Sequence, residues 1–268
     1  MAWKPLDHAP DLPSLGGETL IDSHCHLDGG DFDADRGEVL ARAAAAGVGT
    51  MVTIGAGGPL ECNDRALALA EAHASVFATV GVHPHEAAQV DDAIMTSIEA
   101  LARRPKVVGI GETGLDYHYD HSPRPQQRAA FARFIQLARR LALPVVVHLR
   151  DADDDAVDLL RGEQAGEVGG VIHCFSGDAD SARRFLDLGF HISFSGIVTF
   201  KTADALRAAA RIVPSDRLMV ETDAPFLAPI PYRGRRNEPA LVVQTAVALA
   251  EIRGETLEQV AASTRANT

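Results

Sequence analysis

His24 and His26 lie two residues apart in Asp22-Ser23-His24-Cys25-His26, at the end of a short apolar run. On an extended strand, residues two apart point the same way, so both imidazoles share one face and Cys25 takes the other. His83 and His85 repeat the pattern in Gly81-Val82-His83-Pro84-His85. Glu112 follows another run in Gly111-Glu112-Thr113-Gly114-Leu115-Asp116, His148 and His173 each close one, and Asp223 sits in Glu221-Thr222-Asp223-Ala224-Pro225. A single histidine at a strand end reads as a hydrogen-bonded structural residue. His24, His26, Glu112, His148, His173 and Asp223, all at matching strand ends, read as metal ligands.

Imidazoles mixed with carboxylates suit Zn or Mn, or Mg where more oxygen ligands join. Six ligands exceed one tetrahedral site, so two divalent metal ions (Zn, Mg or Mn) are expected, with Glu112 placed to bridge them. Such a pair polarises a substrate oxygen and brings the pKa of a bound water to about 7, which is hydrolytic chemistry. Asp223 and Glu112 are the expected catalytic carboxylates, Asp223 orienting or deprotonating the water.

Several neighbours read differently. His83 divides between a substrate contact and a structural bond at the loop start, and His85 reads as structural. Asp116 divides between positioning a His or Arg from outside the metal shell, the favoured reading, and fixing the turn after Gly114. Glu221 reads as a buried structural acid, His118 and His121 as loop residues, and Cys62 and Cys174 as small core groups. The run Pro231-Tyr232-Arg233-Gly234-Arg235-Arg236-Asn237-Glu238-Pro239 stands out in an acidic chain. Arginine forks grip phosphate oxygens at two points, so Arg233 and Arg235 are candidate substrate contacts, with Arg150, two residues past His148, a further one.

These residues need a frame that brings distant positions together. Short β-branched runs bounded by Gly or Pro predict strands near 19–24, 48–54, 76–82, 106–111, 144–148, 169–173, 190–194 and 217–222. Helical spacing fills the intervals at 36–46, 62–73, 92–103, 124–141, 152–161, 179–188, 202–211 and 239–252. Strict strand–helix alternation implies parallel strands, and eight such units predict an α/β protein with a (β/α)8 TIM barrel, whose chemistry collects at the C-terminal strand ends. The predicted division is a loose tail over 1–17 and one hydrolase domain over 18–268. The acidic run Asp151–Asp155 reads as a helix start, where negative charge meets the dipole.

The whole chain narrows the classes further. At 268 residues and 46% apolar content it can bury one large core. No stretch approaches the roughly 20 apolar residues of a membrane span, and residues 1–17 lack the order of a signal peptide. Three cysteines without CxxC spacing argue against a disulfide framework and for the cytoplasm. A net charge of −12 disfavours extended duplex binding, so a polyanionic substrate needs a local positive site from metal or arginine.

Together the motifs at 22–28, 81–85, 111–116, 173–177, 221–225 and 233–239 resemble the TatD family of metal-dependent deoxyribonucleases, within the wider amidohydrolase-like barrels, over about residues 18–268. The resemblance implies a two-metal site of His24, His26, Glu112, His148, His173 and Asp223. It also implies hydrolysis of DNA, often by trimming 3′ ends, so the expected partners are DNA 3′ ends or another phosphoester, with no membrane. Many amidohydrolases carry a carboxylated lysine as the bridge, whereas Glu112 stands here, which favours phosphoesters over amides. The lead-in of 17 residues is longer than the family's usual start, and relatives continue a little beyond Thr268. The rival readings are an amidohydrolase or esterase acting on a small molecule or aminoacyl-tRNA, separable by substrate profiling, and a noncatalytic metal-binding scaffold, which the intact ligand set disfavours.

Overall fold

The computed structural model describes residues 3–6, 8–58 and 60–268. Eight strands form one sheet whose hydrogen-bonded neighbours follow chain order: β1 (Leu20–Cys25), β2 (Val48–Gly55), β3 (Val76–Val80), β4 (Val107–Asp116), β5 (Val145–Arg150), β6 (Gly170–Ile172), β7 (His191–Phe194) and β8 (Leu218–Val220). The helices between and after them are α1 (Arg36–Ala45), α2 (Glu61–Ala72), α3 (Asp92–Ala102), α4 (Arg124–Leu141), α5 (Asp153–Gly162), α6 (Ala179–Leu186), α7 (Asp204–Ile212), α8 (Val242–Arg253) and α9 (Leu257–Asn267). Pairing is parallel from β3 through β6 and between β7 and β8. A parallel sheet in chain order, with a helix after each strand, is the (β/α)8 fold.

By compactness the chain divides into two units. The first takes the described residues up to Val52, with 174–183 and 192–268. Its core includes Leu20, Phe194, Val242, Val243 and Leu249, all fully buried. The second takes 53–173 and 184–191. There Val145 and Val147 of β5 are fully buried, as is Ile110 of β4. Helix α4 covers this sheet with Phe131, Phe134 and Ala138, spaced to share one helical face.

Three features depart from the sequence reading. Strand β4 runs on to Asp116 instead of stopping near 111, because Gly111 and Gly114, at φ +145° and +146°, let it lie against β5. A Cβ at Gly114 would collide with the His148 carbonyl, and one at Gly111 with the Val146 carbonyl. Glycine normally signals a strand's end; here it permits close backbone approach. Helix α9 lies outside the assigned helices, although the capping box of Thr256 and Gln259 marks its start. The segment before β1 is tied down: the Arg236 N–H donates to the Lys4 carbonyl at 2.8 Å, and Leu15 is buried.

Candidate metal sites

In the first unit, main-chain pairing sets the geometry. The Asp223 N–H donates to the His24 carbonyl at 2.9 Å, the His26 N–H to the Ala224 carbonyl at 2.7 Å, and Cys25 and Ala224 form a parallel bridge. Strand β1 is thereby paired with the chain just past β8. Asp22 fastens the junction, accepting from the Thr222 N–H at 2.9 Å and the Thr222 hydroxyl at 2.5 Å. Burial pushes the Asp22 carboxyl up to about 8 against the pull of these bonds, and the nearby Glu221 charge adds to the rise.

The alternation of β1 turns Cys25 away, its thiol donating to the Val52 carbonyl at 3.4 Å. His24 and His26 turn toward Asp223. Their Nε2 atoms lie 3.7 Å and 3.4 Å from Asp223 Oδ1, and their rings meet edge-to-face at 5.1 Å. Asp223 has a left-handed backbone, φ +57°, that swings the chain out of the strand direction at this point. Glu221 is buried and its Oε1 accepts from the Cys174 N–H at 2.7 Å, a contact within the scaffold.

In the second unit, side chains set the geometry. Glu112 is buried on β4, and its Oε1 lies 2.8 Å from His148 Nδ1, 2.8 Å from His173 Nε2 and 3.5 Å from His83 Nε2. His148 of β5 faces Gly114 in the register, so the missing Cβ there lets the histidine backbone sit close to β4. Its other ring nitrogen, Nε2, lies 3.2 Å from Asp116 Oδ2. Each nitrogen of His148 therefore meets a carboxylate. His173 directly follows β6, its N–H donating to the Val147 carbonyl at 3.1 Å, and its Nε2 lies 3.4 Å from His148 Nδ1.

The electrostatics follow from these contacts. Burial opposes ionisation of Glu112, but the charge of His173 and bonds from His148 and His173 hold its carboxyl well below the usual range. For Asp116 burial is likewise outweighed by bonds from His148, the Tyr119 N–H and His85, and the pKa falls. Burial lowers His148, yet its bonds to Asp116 and Glu112 win and raise it. His83 goes the other way: burial takes it down to about 3, leaving a neutral ring whose Nδ1 accepts from the His85 N–H at 3.2 Å.

Beyond these groups the candidates separate. His85 Nε2 lies 2.9 Å from Asp116 Oδ2, while His118 and His121 lie on the loop after β4. Arg150 is exposed at the end of β5 with its guanidinium 5.3 Å over the Tyr119 ring. Arg233 is exposed and stacks on Phe200 at 3.8 Å, and Arg235 is half-buried. Arg236 is buried, donating to the Asp31 carbonyl and the Asp35 carboxylate at 2.6 Å each, so it belongs to the scaffold. Sequence reasoning missed Gln127, a buried amide on α4 that accepts from the Asp116 N–H at 2.8 Å and donates to the Asp116 carbonyl at 3.1 Å. A lone polar residue on the apolar face of α4 was its available signal.

His83, Glu112 and His148 each offer one donor atom, all within 4.8 Å of one another, a nitrogen and carboxylate set that a divalent ion takes, and His24 and His26 bring the same donor types within 3.7 Å and 3.4 Å of Asp223. The family model TatD related DNase matches residues 21–268. The chain is 45% identical over 251 residues to the metal-dependent hydrolase YcfH of Escherichia coli K12, covering 92% of this chain and 93% of that one. It is 40% identical over 253 residues to the 3'-5' ssDNA/RNA exonuclease TatD of Cronobacter turicensis, covering 92% and 95%. Among solved structures it resembles YJJV, a TatD homolog from Escherichia coli K12, with a TM-score of 0.87, 33% identity and coverage of 93% and 96%. On this ground the chain belongs to the TatD related DNase family and is a metal-dependent hydrolase of that family.

Proposed function

We propose that the protein trims 3′ ends of single-stranded or frayed DNA, using two divalent ions per chain. His24, His26 and Asp223 would hold one ion, and Glu112, His148 and His173 the other. The observation that carries this reading is the second group, where two imidazole nitrogens 3.4 Å apart both lie 2.8 Å from one oxygen of a buried, ionised carboxylate. Relatives named as 3'-5' ssDNA/RNA exonucleases support the substrate class.

Divalent ions supply Lewis acidity toward a phosphoryl oxygen and toward water. The chain's own residues do the rest. Asp223, at the edge of its group and 14% exposed, accepts the proton of the attacking water. Glu112 keeps its charge and supplies the anion its group requires. Neutral His83 presents an imidazole to substrate beside that group, and Arg233, Arg235 and Arg150 take phosphate oxygens. A chain of net charge −12 with few cations placed for phosphate holds short single strands better than long duplex.

Among the described residues, no helix is long and apolar enough to cross a membrane. Cys25, Cys62 and Cys174 form no disulfide among the described residues, which supports a cytoplasmic location. The test is turnover of short end-labelled single strands by metal-stripped protein to which Zn, Mg or Mn is returned. Release of mononucleotides from the 3′ end supports the reading. Hydrolysis of small esters or amides with no cutting of DNA overturns it.

A further inference from the structure

Phe226 and Trp3 are both exposed, at 43% and 39%, in a chain whose other large apolar residues are mostly covered. They meet edge-to-face with ring centres 6.2 Å apart, and Phe226 meets the ring of His26 edge-to-face at 6.0 Å. Three rings thus run in a row from the surface to a ligand of the first group. An exposed aromatic pair joined to a chemical site calls for an occupant.

The row is anchored by main chain on both sides. The Phe226 N–H donates to the Asp223 carbonyl at 2.8 Å, and its carbonyl accepts from the Asn237 side-chain amide at 2.6 Å. Beside Trp3, the Lys4 carbonyl takes the Arg236 N–H at 2.8 Å, and buried Arg236 is itself fixed to Asp31 and Asp35. Further along the same segment the Tyr232 hydroxyl donates to the Asp11 carbonyl at 3.4 Å. The backbones are held while both side chains remain exposed, which is how an aromatic platform for stacking a flat ring is built.

We propose that Trp3 and Phe226 form a ledge that stacks a nucleobase of the strand whose backbone is cut beside Asp223. This rests on the single-strand reading given above. Stacking on a π-face tolerates every base, so the ledge adds affinity for bases without sequence preference, and only an unpaired base can reach it. The segment before β1 thereby becomes part of substrate recognition.

Trp3 is the sole tryptophan, so the protein's indole fluorescence reports on the ledge alone. The probe is a five-nucleotide thymidine strand with phosphorothioate linkages, titrated into metal-loaded protein beside an abasic strand of equal length and charge. The ledge predicts saturable quenching by thymidine strands, none by abasic strands, and roughly ten-fold weaker binding of the latter. Trp3→Ala and Phe226→Ala, followed by competition binding, should each erase that thymidine preference, and Trp3→Phe should restore it. Equal affinity for the two strands, or a full preference in Trp3→Ala, overturns the ledge. Turnover of an unmodified thymidine strand by the wild type is read separately. Its failure with quenching intact removes the exonuclease reading and keeps the ledge, while turnover without base-dependent quenching does the reverse.

Discussion

The two groups proposed to hold metal reach similar donor chemistry by opposite means. Around Asp223 the main chain is the framework: β1 and the segment past β8 are pinned by backbone bonds, and the side chains stand 3.4 Å and 3.7 Å apart. Around Glu112 the side chains are the framework, closed on each other at 2.8 Å, with His148 clasped by a carboxylate at each ring nitrogen. A carboxylate that is buried and hydrogen-bonded to imidazole holds a proton on that imidazole. The raised His148 pKa means that an ion entering the Glu112 group competes with a proton there. Strand-end groups of matching residue types can therefore differ in how readily they would take metal.

The largest expected effect is on turnover. Asp223→Asn keeps size and removes the charge that accepts a proton, so kcat should fall on the order of 10²-fold, with the thermal melt little changed. Normal rates at unchanged metal content would place the base elsewhere. Next, Asp116→Asn strips His148 Nε2 of its carboxylate and should weaken the Glu112 group for metal by about 10–100-fold, leaving the Asp223 group's affinity as it was. Calorimetric titration reads both; equal losses would break the contrast between the groups.

A smaller effect is expected on the scaffold. Gly114→Ala forces a Cβ toward the His148 carbonyl at φ +146°, and denaturant unfolding should show a loss of about 2–3 kcal/mol. Gly162→Ala, where a Cβ meets nothing, is the control and should cost little. Last comes pH. Because His148 is raised above its ordinary value, metal uptake by the Glu112 group should release up to one proton, and apparent affinity should climb as pH rises until His148 is deprotonated. Binding heats that do not vary with the ionisation enthalpy of the buffer would contradict this.

The eight strands and their helices were legible because apolar β-branched runs and helical spacing alternate strictly from Leu20 to Arg253. Shared family membership was legible from the motif order. What escaped was set by tertiary contact. The continuation of β4 through Gly111 and Gly114 depends on the β5 carbonyls lying against it, which no local propensity records. The raised pKa of His148 depends on two carboxylates four residues apart on one strand and reaching opposite ring nitrogens. Arg236 carries the same side chain as Arg233 and Arg235, and only the partners Asp31 and Asp35 mark it as scaffold. Trp3 lies in a segment with no periodic signal, and its place beside Phe226 comes from the bond between Lys4 and Arg236.

Counting ions by native mass spectrometry tests the central claim most directly, that each group takes its own divalent ion. Metal-loaded wild type should carry two per chain, and the double substitutions His24→Ala with His26→Ala, and His148→Ala with His173→Ala, should each carry one. A wild type that is fully active with a single ion, or double variants that both retain two, would contradict the account.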